Sequence, residues 1–404
     1  MKNYDVVIVG GGMVGASLAL ALAPLKLKVA LIEAFAPDSA SQPSFDERTT
    51  ALSNGSRRIL ETLQVWQSLS SAATPIAKIH VSDQGHFGFA RIEAARQGLN
   101  ALGYVVPNRH LGQVLWRGLK DSGIAIHCPA RVQSVRREPD AVHLALDVGE
   151  LEISAQLVVA ADGADSAVRA ALGVEADSRD YGQTAIITTV LPQRFHEHVA
   201  YERFTRNGPL ALLPLADGRC TLVLTMKPEE ADQALLWSDE PFIAELQRRF
   251  GFRLGRFLKV GRRVPYPLTL SRARELGAER CIIIGNAAQA LHPVAGMGFN
   301  LGLRDAASLA ELIADQTGRS EVDFGSATLR HAYEAWRAQD RRDVVAFTDG
   351  LVRTFASPMR AVALVRDVGL LAFDLLPPAK AALSRLSTGA GARMPKLARG
   401  VPLT

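Results

Sequence analysis

The apolar residues of this chain fall into short runs whose period changes along its length. Tyr4 to Val9 is a β-rich run, which predicts a strand buried on both faces. Gly10-Gly11-Gly12-Met13-Val14-Gly15 follows, and Ala16 to Ala23 then reads as a helix of small and apolar residues. Val29 to Ile32 is a second buried strand that closes on Glu33. This order predicts a βαβ unit at the start of the chain. The stretch Val6 to Ala23 also imitates a secretory leader, with its Ala-Leu-Ala ending. Asp5 before it, the glycines inside it and the strand directly after it favour strand, turn and helix instead.

The middle of the chain has a different pattern. Ala185 to Val190, Ala211 to Leu215 and Cys220 to Thr225 are short strand-like runs, with turn residues between them at Asn207-Gly208-Pro209 and Asp217-Gly218. They predict an antiparallel sheet over roughly Tyr181 to Leu270, to which Ile79 to Tyr104 adds strands. Cys281 to Ile284 reads as another buried strand, and helices carry the chain to its end. The expected fold class is α/β, with the sheet inserted into the α/β domain and a helical segment after it. The expected divisions are an α/β domain over 1–78, 105–178 and 271–345, sheet strands over 79–104 and 179–270, and C-terminal helices with a basic tail over 346–404.

Composition narrows the class. The chain has 404 residues and is 48% hydrophobic, enough for two domains or one large domain with an insertion. Cys128, Cys220 and Cys281 are far apart and match no zinc or disulfide spacing, which fits a reducing compartment. The net charge of +5 is concentrated at the end, where Arg353, Arg360, Arg366, Lys380, Arg385, Arg393, Lys396 and Arg399 face only Asp367 and Asp374. The excess belongs to the tail and implies no nucleic-acid partner. Ser357 and Pro358 resemble a helix start, and Met359, Val362, Val365, Phe373 and Leu376 supply apolar surface. That segment is expected either to attach the protein to anionic lipid or an acidic partner, or to pack on the body. No uninterrupted apolar run later in the sequence is long enough to span a bilayer.

Three motifs carry chemistry. Gly10-x-Gly12-x-x-Gly15 lies between a strand and a helix, with Glu33 closing the next strand. Glycines there let the backbone approach a pyrophosphate, the helix start offers free N–H groups, and the acid accepts from a ribose. The motif alone does not separate NAD from FAD. The second motif runs from Val158 to Ser166, where a buried strand ends in Asp162-Gly163 and a helix starts near Ser166, with Arg169 one turn on. The third runs from Gly285 and Asn286 through His292, Pro293, Gly296, Met297, Gly298, Phe299 and Asn300 to Asp305. Its glycines suit a backbone turn against a ligand, and a helix from about Phe299 can aim N–H groups at an electron-rich edge.

In this order the motifs resemble the class A flavoprotein monooxygenases, the para-hydroxybenzoate hydroxylase-like group. No second glycine fingerprint follows a strand, which agrees with the single dinucleotide fold of that group. Within it the chain resembles the ubiquinone-biosynthesis hydroxylases over nearly its whole length. The most specific part is His292-Pro293-Val294-Ala295-Gly296-x-Gly298-x-Asn300-x-Gly302-x-x-Asp305. Arg48-Thr49-Thr50-Ala51-Leu52-Ser53, Gly208 to Pro214 and Thr348-Asp349-Gly350-Leu351 match as well. Gly285-Asn286-Ala287-Ala288-Gln289 is similar to the 2-polyprenyl-6-methoxyphenol hydroxylase branch in particular. Two positions depart: Asn286 stands where the wider group has Asp, and Met297 where the family usually has Gln.

The resemblance implies a Rossmann-like FAD-binding domain with an inserted antiparallel β-sheet substrate domain and a C-terminal helical segment. FAD is the implied cofactor and NAD(P)H the transient co-substrate. Gly10, Gly12, Met13, Val14, Gly15 and Glu33 would hold its ADP part, Val132 would meet adenine through its backbone, and Arg109 would meet the phosphates. Arg48 would lie near the flavin and pyrophosphate, and Asp162 and Gly163 would touch FAD beside the groove for NAD(P)H. Gly285, Asn286, Pro293, Gly296, Gly298, Phe299 and Asn300 would surround the flavin and its ribityl chain. His292 is a candidate catalytic base or a positioning residue, and Tyr266 shares that ambiguity. No metal is implied. The implied substrates are a polyprenylated phenol and O2. Further implied partners are a membrane surface, other ubiquinone-biosynthesis proteins and a second copy of the chain, with the protein in the cytoplasm and peripheral at the inner membrane. Two other readings stay open: a flavin-dependent isoprenoid reductase or dehydrogenase, and a flavin-stabilised subunit without activity.

Overall fold

The computed structural model describes residues 2–39, 42, 44–46, 48–86, 88–148, 151–292, 296–318, 322–356 and 393–404, with the side chains of 352–356 left aside. Its frame is a sheet whose centre is parallel. Lys2–Val9 lies between Glu152–Ala160 and Val29–Ile32, and Val29–Ile32 pairs on with Ala125–His127. Cys281–Ile283 joins Glu152–Ala160 from the other side, also parallel. Strands in this position have helices on both faces, which is why Val6, Val7 and Ile8 are fully buried and read as an unbroken apolar run. The helices Met13–Leu22 and Met297–Ala314 pack on this sheet, and Leu18, Leu303 and Leu309 are fully buried in the same core as Ile8 and Val159.

The second sheet is antiparallel at its centre. Ala176–Pro192 pairs with Cys220–Met226, which pairs with Gly208–Pro214, which pairs with Val199–Thr205. Lys78–Asp83 then adds in parallel to Val199–Thr205, and Phe89–Glu93 closes that side. Gly208 and Gly218 take the positive φ values that the expected turns require, +128° and +83°. On the other side Val264–Ala273 pairs with Ala176–Pro192 and continues past Leu270. Gln289–Ala290 of the third motif then pairs with Ser271 and Arg272. Gly103–Pro107, expected among these strands, instead joins Thr49–Ser53 and Thr74–Ile76 in a separate three-stranded sheet.

Helix Ala327–Ala356 is the longest described helix and is held through charge in the core. Arg337 bonds Asp305 at 2.7 Å and Asp340 at 2.7 Å, and Arg304 bonds Asp340 at 2.8 Å, all four being nearly inaccessible. The last residues return to the body. Arg393 stacks on the Trp336 ring at 3.9 Å and bonds Glu311, while Lys396 pairs with Asp315 at 2.9 Å. The charges of these two cations are thus matched by the protein's own carboxylates, as in the alternative of a tail packed on the body. The tail positions from Ser357 to Arg385 lie outside the described residues. No described helix is long and apolar enough to cross a membrane.

Candidate active site

The first turn is shaped by backbone approach. Gly10 has φ +103°, and a Cβ on it would stand 2.4 Å from the Ala161 oxygen of the second motif. A Cβ on Gly15 would stand 1.9 Å from the Gly10 oxygen. Both positions need glycine for the turn itself. Gly12 precedes the helix Met13–Leu22, and a Cβ on it would stand 3.0 Å from the Ser44 hydroxyl. No side chain caps that helix, which leaves its first N–H groups for an anion. Glu33 is buried, and its carboxylate accepts from Gly11 N at 2.5 Å and Phe35 N at 2.8 Å. Trp116 Nε1 donates to Gly11 O at 2.9 Å and braces the loop from the other side. A carboxylate accepts about four hydrogen bonds, so Glu33 keeps capacity for a hydroxyl. Val132 starts a strand beside this loop: Ala130 N bonds the Glu33 carbonyl at 2.8 Å.

The second motif touches both of the others. Asp162 accepts from the Ser166 hydroxyl at 2.5 Å and from Val168 N at 3.1 Å, so it caps the short helix Ala167–Ala171. Burial raises its pKa, and those hydrogen bonds oppose the rise. Gly163, at φ +91°, has nothing within 4 Å of its Cβ position. Arg169 donates to the Ala287 oxygen at 2.7 Å and so fastens the third motif.

The third motif starts on Gly285, at φ +60°, packed against Val14. Gly302 closes on the same Val14, whose Cγ2 is 2.8 Å from the position a Cβ would take. Asp305 reaches back to Gly285 N at 3.2 Å and to Gln289 Nε2 at 2.8 Å. Asn286 is exposed between these fixed points. Gly296, at φ +60°, precedes the helix Met297–Ala314, which begins two residues before the expected Phe299. Phe299 is half-buried against the main core, and Gly298 has nothing within 4 Å of its Cβ position. Pro293 lies outside the described residues.

Met297 is explained by packing. It is buried with Leu301 and Val344 against Leu291 and Phe347, and an amide there would lack polar neighbours in that cluster. Asn300 does the polar work instead. Its Oδ1 accepts from Ser53 N at 2.8 Å and the Ser56 hydroxyl at 2.6 Å, and its Nδ2 donates to Ala51 O at 2.8 Å and Gly296 O at 2.7 Å. The side chain is thereby saturated, so any contact of Asn300 with a cofactor falls to its backbone.

His292 is buried against the Tyr181 ring, with ring centres 5.2 Å apart. Burial pushes its pKa down to about 4, so it is neutral near physiological pH and a weak base. Tyr181 donates to Asp349 at 3.3 Å, which draws the Thr348 to Leu351 motif to the same corner. Arg48 lies over the Tyr266 ring at 4.5 Å, and both side chains bond Asp46. Burial and the Asp46 hydrogen bond push the Tyr266 phenol up to about 12. Arg109 is exposed in the first turn of helix Asn108–Asp121, one residue after Asn108, whose backbone N–H donates to the Arg48 carbonyl at 2.9 Å. Thr49 Oγ1 bonds Thr221 Oγ1 at 3.1 Å, so the strand Thr49–Ser53 joins the third motif on one side and the antiparallel sheet on the other. Ser53, Ser56 and Trp116 were not singled out as site-forming. Their signal is polar side-chain capacity next to glycine turns.

The fit to FAD rests on these features. Gly163 and Gly298 leave open space where a side chain would intrude, and two helices present N-termini without a side-chain cap. A family model for the FAD binding domain matches residues 3–348. The chain is 40% identical to the ubiquinone hydroxylase UbiL of Rhodospirillum rubrum, over 100% of this chain and 94% of that protein. It is 31% identical to the 3-demethoxyubiquinol 3-hydroxylase of Escherichia coli, over 92% and 94%. In fold it is similar to the p-nitrophenol 4-monooxygenase PnpA of Pseudomonas putida, with a TM-score of 0.80 and 19% identity over 97% of this chain and 100% of that one. With the glycine turns, the family match and these full-length relatives agreeing, the chain belongs to the FAD binding domain family and is an FAD-dependent hydroxylase.

Proposed function

We propose that this enzyme hydroxylates 2-polyprenyl-6-methoxyphenol para to its phenol oxygen, in ubiquinone biosynthesis, with NAD(P)H and O2 as co-substrates. The observation that carries this reading is the full-length similarity to ubiquinone hydroxylases joined to a third motif of the Gly285–Gln289 form. Gly10, Gly12, Gly15 and Glu33 would hold the ADP part of FAD, and Gly163, Gly296 and Gly298 the flavin end. Bound FAD supplies the transfer of electrons from NAD(P)H to O2 and thus an electrophilic oxygen. The protein's own task is to bind, orient the ring and exclude water.

The ring chemistry fixes the position. Both ortho carbons of that phenol are substituted, so its oxygen directs an electrophile to the para carbon. The prenyl tail requires an apolar channel, since each solvated CH₂ costs about 0.8 kcal/mol. The test supplies this phenol, NAD(P)H and labelled O2 to the FAD-loaded enzyme. One labelled oxygen para to the phenol is expected. Labelling at another carbon, or turnover of a later benzoquinol only, overturns the assignment and leaves the hydroxylase class standing.

A further inference from the structure

The antiparallel sheet has two differently covered faces. Helices Pro228–Leu236 and Asp239–Phe250 close one of them through Ile186, Leu222 and Phe242. The other face looks toward Thr49–Ser53, where Thr221 bonds Thr49 and Ala200 packs with Val105. Glu202 follows Ala200 by two residues on the same strand, so its side chain stands on this second face. Register places a continuous row there. Val81 lies beside Glu202, Glu202 beside Ala211, Ala211 beside Val223, Val223 beside Ile187, and Ile187 beside Val264. All six are half-buried, and Glu202 is the one polar residue among them.

Glu202 is half-buried, and helix Ala327–Ala356 packs against its strand and the neighbouring strand Gly208–Pro214. Its cross-strand neighbours Val81 and Ala211 have no side-chain donor. A carboxyl in such a row costs free energy unless something else supplies a hydrogen bond. A complementary ligand is apolar over most of its surface and brings one donor. We propose that Glu202 is the substrate-binding carboxyl of this enzyme, accepting the hydrogen bond of the phenol while the apolar row lies along the ring and its hydrocarbon substituents. This rests on the reading of the substrate as a prenylated phenol.

The contact also has a chemical consequence. When Glu202 is ionised and the ring is attacked, the phenol O–H bond breaks, its electron pair enters the ring and the proton passes to the Glu202 carboxylate, a step that therefore gains as pH rises toward about 8. No electrons leave the pair, so the only oxidant is the one the hydroxylation already uses. Burial alone pushes the Glu202 carboxyl up to about 8. That narrows its gap to a phenol, whose pKa is roughly 10.

The test compares a 2,6-disubstituted prenylated phenol with its methyl ether on FAD-loaded wild type, Glu202→Gln and Glu202→Ala. Flavin absorbance reads binding, and product and hydrogen peroxide read coupling. Wild type is expected to bind the phenol about ten- to a hundred-fold more tightly than the ether, and Glu202→Ala to lose that preference. Glu202→Gln keeps an acceptor but not a base, so it should bind the phenol nearly as well and hydroxylate it at least about ten-fold more slowly. Equal loss for phenol and ether, or unchanged binding and coupling in both variants, overturns the role of Glu202 alone. A wild type that hydroxylates no such phenol overturns the substrate reading and this proposal with it. FAD content and melting temperature of each variant separate these outcomes from misfolding.

Discussion

The backbone N–H of Ser53 donates to Asn300 Oδ1 at 2.8 Å, across 247 residues of sequence. This bond and its three companions fix the start of helix Met297–Ala314 against the strand Thr49–Ser53. Asn300→Ala removes four hydrogen bonds from a buried site and strands their partners, an expected loss of about 2–4 kcal/mol in urea unfolding. Asn300→Asp is the sharper variant. A carboxylate oxygen would replace the Nδ2 donor against the Ala51 and Gly296 carbonyls, so repulsion replaces two bonds. Both variants should bind FAD more weakly, read by fluorescence titration. An unchanged unfolding midpoint in Asn300→Asp would contradict the clamp.

Gly15 and Gly298 should respond oppositely to alanine. At Gly15 the new Cβ meets the Gly10 oxygen at 1.9 Å, so Gly15→Ala should unfold or strongly destabilise the chain. At Gly298 nothing lies within 4 Å. There Gly298→Ala should keep or raise the melting temperature of the FAD-free protein, because alanine favours a helix over glycine by about 0.5–1 kcal/mol. Its FAD affinity should nevertheless fall, since the open face is where the proposal puts the flavin. Full flavin affinity in Gly298→Ala would move the flavin away from this turn.

These positions show what could be read from the residues and what could not. The turn at Gly10 to Gly15 and the strand at Val6 to Ile8 were legible because their demands are local: a positive φ, a close backbone approach, burial on two faces. Gly103–Pro107 was misplaced because a strand's own residues do not state which edge it pairs with. Met297 could be read only as a departure from the family's usual Gln, because two of its apolar partners, Val344 and Phe347, come from a distant helix. Glu202 was overlooked because Tyr201-Glu202-Arg203 alternates like a strand with one wet face. The sign was in its neighbour: Gly208 to Pro214 is apolar at every position, so both faces of that sheet had to be covered.

The charged core of helix Ala327–Ala356 should be less tolerant than its polarity suggests. Asp305 accepts from Arg337 at 2.7 Å and also holds Gly285 N and Gln289. Removing one member leaves an unmatched charge in a dry site, at a cost of about 3–5 kcal/mol. Asp305→Asn keeps the shape and loses the charge. Its unfolding free energy should fall by that order, and the third motif should loosen, seen as faster hydrogen exchange at Gly285. The pair variant Asp305→Leu with Arg337→Leu should recover part of the stability but not the Gly285 bond, so its FAD affinity should stay low.

Two buried groups should bend the stability of the protein in opposite pH ranges. His292 is pushed from the ordinary 6.5 down to about 4. Below 6.5 the unfolded chain takes up a proton that the folded one refuses, so stability falls as pH drops from 6.5 toward 4. Glu202 is pushed from the ordinary 4.5 up to about 8. Above 4.5 the unfolded chain releases a proton that the folded one keeps, so stability falls as pH rises from 4.5 toward 8. Water at the half-buried carboxyl reduces the second effect, which leaves on the order of 2 kcal/mol for each. Glu202→Gln has no proton to release and should therefore unfold later than wild type at about pH 8, while matching it at about pH 5. His292→Gln should lose the acid-side slope and keep the alkaline one, at some cost in contact with Tyr181. Urea midpoints across that range read both slopes. An alkaline slope that survives Glu202→Gln unchanged would show that the carboxyl is already ionised in the fold and is not enclosed by the apolar row.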